Sequence, residues 1–350
     1  MSESTKIQRL PLTVQTAYSD LLARLQEDTV LELGGTPVLR KRGGRKYWYA
    51  VQRFADHTVE RYLGPDTVDV RQRVEQAQKV NEDLKQREKQ RGRLARMCRE
   101  GGLPRVDAQT GKVLLALSKA GIFRLRGVLV GTHAFRCYPG LLGVDITQAH
   151  AVTEDIDLAA FRSISVALDD CLDPALAEAL SQIGPFIARP TLHEHPTAWR
   201  DHDSGVVVEL LAPNEGPDRD EPLELPAMGA YALPLRFLDY LIHQPTQAAT
   251  LYRSGILVNV PQPARYAVHK LIVATRRIPS AMAKARKDIE QSAALIRVLA
   301  EDRPDELEEA FIEARNRGPS WRGSIDKGIR RLPSDARTVL KDTAKTQAHR

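Results

Sequence analysis

The chain has 350 residues, 42% hydrophobic and 27% charged, and its 51 Lys and Arg against 45 Asp and Glu leave a net charge of +6. This balance excludes an intrinsically disordered chain, and the lack of any run near ~18 apolar residues excludes a helical membrane protein. Cys98, Cys137 and Cys171 are odd in number and without CxxC spacing, which argues against a disulfide framework and for reduced thiols in a cytoplasmic protein. The opening MSESTKIQRLPL has no basic-then-apolar leader pattern. The modest basic excess favours a polyanionic partner such as nucleic acid or a triphosphate.

In chain order, residues 12–27 space Leu12, Val14, Ala17, Leu21, Leu22 and Leu25 as an amphipathic helix. Tyr47–Val51 and Val59–Leu63 are β-rich, and the polar turn at 55–57 between them predicts a small hairpin. Tyr47, Trp48, Tyr49 and Phe54 there serve either a hairpin core or, with Arg42, Arg45 and Lys46, a stacking surface for nucleic acid. Residues 66–100 read as one charged helix. Lys85, Arg87, Lys89, Arg91, Arg93, Arg96 and Arg99 make its second half a solvated face or a phosphate-contacting one. Gly101, Gly102 and Pro104 end it.

A helix over 108–121, a strand over 122–130 and a strand over 154–160 follow. A further helix is predicted to open at Asp173 and Pro174, and a hairpin over 197–211 turns at 202–205. Short strands are expected near 223–233 and 248–260. After Pro263 come three helices, with SDARTVLKDTAK as a fourth and a polar, frayed end at 346–350. The order predicts an α+β fold in three parts: an N-terminal hairpin and long basic helix (1–105), a mixed α/β core (106–262) and a helical C-terminal region (263–350).

The chemistry centres on TEDIDLA at 153–159. Residues two apart on a strand share a face, so Asp155 and Asp157 project together while Ile156 and Leu158 face the core. Two such carboxylates repel unless a cation joins them, and Mg²⁺ takes hard oxygen ligands of this kind. GVLVGTHAF at 127–135 is a strand, a Gly131–Thr132 turn and a helix start. This pattern brings backbone and free N–H groups close to a phosphate. Glu209 lies mid-strand in VVVELL, where an unpaired carboxylate is costly. It is the third candidate ligand, with Asp201 and Asp203 as fallbacks. His193, His195 and His202 beside those aspartates fit no standard zinc spacing, and Pro196 interrupts them. Lys270 and Arg277, seven apart, are placed on one helix face, and Lys284, Lys287 and Asp288 open the next helix. His269 reads as structural.

Gly-Thr before a helix, then Asp-x-Asp on a strand, then an acid on a later strand resembles the DNA polymerase β-like nucleotidyltransferase superfamily. The spacing from Gly131 to Asp155 is longer than in its minimal members, and 136–153 looks like an insertion. A bacterial branch of the superfamily also resembles this chain at RYLGP (61–65), VPQPARYAVHKL (260–271) and KARKDIEQSAALI (284–296), so the likeness spans roughly residues 40–300. The resemblance implies a polymerase β-like mixed sheet flanked by helices. It implies Asp155, Asp157 and Glu209 as ligands of two Mg²⁺ ions. It further implies Gly131 and Thr132 at the phosphates, with Lys270, Arg277 and Lys287 gripping the triphosphate.

The implied reaction moves an NMP from an NTP to the hydroxyl of an RNA end, a protein or a small molecule. Related folds occur as toxins, which adds a toxin-like role with a cognate regulatory protein. The alternative is a catalytically inactive module of the same fold that binds nucleic acid or a partner protein.

Overall fold

The computed structural model describes residues 7–28, 36–42, 45–54, 57–146, 155–167, 171–214, 216 and 219–343. The expected turn at 55–56, residues 147–153 of the insertion, Glu154 and the polar end at 346–350 lie outside the described residues.

Helix α1 (Leu12–Asp28) buries Val14, Ala17, Leu21 and Leu25 of the stripe its spacing predicts and adds Tyr18, while Leu12 is exposed and Leu22 only half-buried. The predicted two-stranded hairpin is an antiparallel sheet of three: β1 (Thr36–Arg42), β2 (Arg45–Phe54) and β3 (His57–Pro65). The extra strand, TPVLRKR, hides behind its cations. Helix α2 (Val68–Glu100) starts at Thr67, whose side chain accepts from the Val70 N–H, and runs back to pack on α1. Trp48 Nε1 and the Arg71 guanidinium both donate to Asp66 Oδ1, at 3.0 and 2.7 Å, which fastens the small sheet to the start of α2.

Asp107 caps α3 (Ala108–Ala120) by accepting from the Gln109 and Thr110 N–H groups. The strand expected over 122–130 shrinks to β4 (Val128–Leu129). Residues 121–127 turn instead, with Leu125 N–H bonded to Gly121 O and Gly127 N–H to Ile122 O. The Asn259 side chain donates to the carbonyls of Phe123 and Gly127, so the apolar run is buried without a ladder. Helix α4 (Gly131–Phe135) follows β4 at once.

The main sheet adds β5 (Asp155–Ala159), β6 (Phe186–Ala188), β7 (Ala198–Asp201), β8 (Val207–Pro213), β9 (Leu223–Leu225) and β10 (Ala230–Leu235). Its path is β9-β10-β8-β5-β4. β8 pairs in parallel with β5 and β10 and antiparallel with β7, and β6 extends β7. Parallel and antiparallel pairs in one sheet agree with the α+β expectation. The strands β11 (Thr246–Thr250) and β12 (Ile256–Val260) form a separate antiparallel pair. The helix expected to open at Asp173 begins instead at Leu176, and the Asp173 N–H donates to Ala120 O at the end of α3.

The C-terminal helices are α5 (Pro263–Arg276), α6 (Met282–Asp302), α7 (Pro304–Asn316), α8 (Pro319–Arg331) and α9 (Ser334–Thr343). α8 is absent from the sequence reading because two glycines and a polar majority mask its period. At Gly328 a Cβ would stand 2.5 Å from Leu271 O, so the glycine lets α8 pack tightly on α5. One apolar core runs from Val106 to Leu340 and joins the sheet to these helices, while a smaller one joins α1, the end of α2 and β11–β12. Among the described residues, no helix is long and apolar enough to cross a membrane.

Candidate active site

Alternation on β5 sinks Ile156 and Leu158 into the core and turns Asp155 and Asp157 to the opposite face. β8 lies in register beside it, Glu209 against Asp157 and Val207 against Asp155. Neighbouring strands are about 4.8 Å apart and registered residues share a face, so all three carboxylates emerge on one side of the sheet. From the other edge, the Val130 N–H donates to Asp157 O at 2.9 Å, and the chain then bends through Gly131 at φ 64° into α4. A Cβ at Gly131 would collide with Asp157 Oδ2, so glycine is needed here both for the turn and for the approach of the carboxylate.

The facing wall comes from α5 and α6. Asp288, 1% exposed, accepts from Lys270 Nζ at 2.6 Å and from Arg277 Nε at 3.1 Å. Arg277 reaches it from outside the helix: α5 ends at Arg276, and Arg277 is extended (φ −64°, ψ 134°). The shared helix face expected for Lys270 and Arg277 is therefore replaced by a shared counter-ion. Lys287 Nζ donates to Thr132 Oγ1 at 2.6 Å and so bridges the two walls. The Tyr266 hydroxyl lies within hydrogen-bond reach of Gly131 O (2.8 Å) and Gln291 Oε1 (3.0 Å), and the Lys270 ammonium sits 5.1 Å from the Tyr266 ring centre.

Between the walls is a cleft of about 690 Å³, within the range of small-molecule sites. Asp155, Asp157, Glu209, Gly131, Thr132, Lys270, Arg277 and Lys287 all line it. The sequence reading gave no site role to Tyr266 and Lys284, nor to an apolar end formed by Phe237, Leu238, Leu241 and Val273 beside Arg236 and Arg276. Lys284 lay in plain view, three residues before Lys287 on one helix. The apolar end carries no local signal, since it is assembled from residues 236–241 after β10 and from α5.

Burial, then repulsion from Asp155, raises the Asp157 pKa above the usual carboxylate range, against the pull of Lys270, Lys284 and Lys287. Burial and the Asp157 charge push Glu209 up to about 7, with Arg189 and Lys284 offsetting part of the rise. Burial and the neighbouring Lys270 lower the Lys287 pKa. Among the described residues no hydrogen bond or ion pair reaches the carboxylate of Asp157 or Glu209. Two buried hard-oxygen groups without a contacting counter-charge, with a third on the same face, are a donor set that fits Mg²⁺. Among the described residues, no group of three or more Asp, Glu, His and Cys side chains closes around a metal position by itself. The fit is therefore that of an ion sharing its coordination with a second ligand.

The other candidates fall away from the cleft. Asp201 is buried and holds the β7–β8 turn, accepting from the Ser204 hydroxyl and the Asp203 N–H. Exposed Asp203 contacts His202 Nδ1 at 3.2 Å, and His195 stacks on Tyr231 with ring centres 3.8 Å apart. His269 borders the cleft but is driven down to about 3 by burial and by Lys270, which leaves it neutral.

Residues 108–316, more than half of the chain, match a family model described as "Nucleotidyltransferase". The chain belongs to this nucleotidyltransferase family. Membership supports transfer of a nucleotide unit in general. Residues 7–73 separately match a model described as "Domain of unknown function (DUF6788)". No curated protein and no solved structure matches the chain. Every residue lining the cleft falls inside the nucleotidyltransferase match.

Proposed function

We propose that this nucleotidyltransferase is a Mg²⁺-dependent enzyme of the polymerase β-like type that moves an NMP from an NTP to an acceptor hydroxyl. The observation that carries this reading is the opposition of two charged walls: three carboxylates on β5 and β8 face Lys270, Lys284, Lys287 and Arg277 across one cleft. An NTP needs both, cations for its phosphates and carboxylates for the metal those phosphates bring.

Asp155, Asp157 and Glu209 are the residues that would hold Mg²⁺. Bound there, the ion supplies charge neutralisation at the transferring phosphoryl group and at the oxygens that attack and leave. In-line attack of the acceptor oxygen on the α-phosphorus forms the new P–O bond, breaks the bond to the β-phosphate oxygen and releases pyrophosphate. Glu209, whose pKa is pushed up to about 7, is the group placed to take the acceptor's proton. Lys287 and Lys270 hold the outer phosphates, Thr132 and the Gly131 turn approach them from the opposite side, and Arg277 acts with Lys270 through Asp288. Most of the rate gain then comes from positioning and charge compensation.

The test is incubation of pure protein with Mg²⁺, each α-labelled NTP, and total RNA and protein. Transfer of label that disappears in Asp155→Asn and Asp157→Asn supports the reading and names the acceptor class. Retained transfer in a folded Asp155→Asn/Asp157→Asn double variant sinks it. Absence of both transfer and Mg²⁺-dependent NTP binding favours the second reading, a catalytically inactive module that binds nucleic acid or a partner. The observation on its side is that, among the described residues, the carboxylates close no metal cage by themselves.

A further inference from the structure

Helix α2 lies almost wholly between the two family matches, and its outer face is left without a task by the site above. Its cations divide sharply. Arg87 and Arg91 turn inward, and both pair with buried Asp28 of α1. Lys85, Lys89, Arg93 and Arg96 are all exposed, and none has an ion pair or hydrogen bond among the described residues. They recur at steps of 4, 4 and 3, one face of a helix, and at 1.5 Å rise per residue they form a strip about 16 Å long. Gly92 sits within this strip. A glycine inside a helix costs roughly 1 kcal/mol relative to alanine, and a Cβ here would meet nothing within 4 Å, so no packing requires it. What it does provide is a strip with no side chain at its middle.

We propose that this face of α2 docks the phosphate backbone of a nucleic-acid strand. The steps of about 6 Å between successive cations suit a regularly charged polyanion. The apolar side of the helix (Ala95, Cys98) is already buried against α1, and half-exposed Met97 near the strip is too little apolar surface for lying in a lipid interface. A second cation group stands at the other end of the same helix. Exposed Lys41 and Lys46 are direct cross-strand partners in the small sheet, a pairing of like charges that costs stability. Docking follows from α2 alone. That the docked strand is the acceptor of the transferred nucleotide rests on the proposed function.

The test uses the full chain and fluorescently labelled 20-mers of single-stranded RNA, single-stranded DNA and duplex DNA, titrated by anisotropy from 50 to 200 mM KCl. At about 0.7 per neutralised phosphate on a single strand, replacing all four strip residues with glutamine flattens the log–log salt slope by roughly 2.8, so the variant loses about 50-fold less affinity than wild type between 50 and 200 mM salt while binding more weakly at 50 mM. Glutamine keeps helix propensity, and circular dichroism verifies the fold. A control variant removes the same charge at exposed Lys112, Lys119, Arg219 and Lys327 and loses much less.

The order of affinity among the three oligonucleotides separates RNA from DNA as the source of the backbone. Equal losses in both variants, no oligonucleotide binding by wild type, or strip-dependent binding to anionic phosphatidylserine vesicles alone overturns the proposal. Oligonucleotide binding that survives Asp155→Asn/Asp157→Asn, without transfer in wild type, upholds docking and counts against transfer. Mg²⁺-dependent NTP binding without oligonucleotide binding does the reverse.

Discussion

Asp157 and Glu209 stand in register on adjacent parallel strands, two half-buried carboxylates side by side with no cation among the described residues in contact with either. Such an arrangement costs free energy in the metal-free protein. Asp157→Asn removes one charge from it and is expected to raise the melting temperature of the metal-free protein at pH 8 by a few degrees, on the order of 1 kcal/mol for a chain of this size. The same change is expected to abolish the stabilisation that wild type gains from Mg²⁺ plus NTP. Differential scanning fluorimetry with and without both ligands reads both effects, and a variant that melts lower and still responds to Mg²⁺ contradicts the assignment.

The same pair sets a pH dependence. Glu209 titrates at about 7 in the folded protein, above its ordinary value, so the folded state binds the proton more tightly than the unfolded state does. Its contribution to stability is therefore complete below about pH 4.5 and is lost as pH rises through 7. Metal binding runs the other way, because the proton must leave. Mg²⁺ affinity measured by calorimetry in the presence of a non-hydrolysable NTP is expected to climb toward tenfold per pH unit below 7 and to level off above 8. In Glu209→Gln that climb is expected to disappear, and a slope equal to wild type would remove Glu209 from the metal site.

Lys287 joins the helical wall to the phosphate turn through Thr132 at 2.6 Å. Charge-assisted hydrogen bonds contribute about 1.5–3 kcal/mol, so Lys287→Ala is expected to weaken NTP binding roughly 10- to 100-fold. Nucleoside binding without phosphates should change little. Equal losses for NTP and nucleoside in a titration of both would mean that the lysine shapes the cleft and does not grip phosphate.

Gly131 tests the turn itself. Alanine there meets two obstacles, a left-handed φ of 64° and the Asp157 carboxylate. The backbone alone costs about 1–2 kcal/mol, and displacement of Asp157 adds a loss of Mg²⁺ response. Urea unfolding reads the first effect and Mg²⁺ titration the second. A variant that keeps full Mg²⁺ response would show that Asp157 has room to move.

Much of the cleft was legible in sequence because its chemistry rests on period-two strands and a Gly-Thr turn. Asp155 and Asp157 share a face by alternation alone, and Glu209 stands out as an acid in an apolar run. The register that sets Glu209 beside Asp157 was not legible, since β5 and β8 are separated by some fifty residues and local pattern says nothing of pairing. Ile122–Val130 misled for a related reason: a short apolar run reads equally well as a strand or as a buried set of turns, and Asn259, far along the chain, decided for turns. Arg277 lines the cleft as expected but by other geometry, since it reaches Asp288 from beyond the helix end.

Two histidines give the chain an acid limit. His133 is 2% exposed, its ring nitrogens have no hydrogen-bond partner among the described residues, and burial beside Arg136 holds it down at about 4. His269 is held at about 3. Both are neutral when folded and titrate near 6.5 when unfolded, so between those values the unfolded chain binds more protons, and stability falls as pH falls. The loss is expected to begin near pH 6.5 and to continue to about 4. It runs opposite to the trend from Glu209, which gains stability as pH falls through 7, so the two combine into a maximum on the acid side of neutrality. His133→Gln removes one of the two sites while keeping a side chain of similar size. In urea unfolding at pH 5 against pH 7, this variant is expected to lose visibly less stability on acidification than wild type. An identical pH difference in the two proteins would mean that His133 is already protonated, or already hydrated, in the native state.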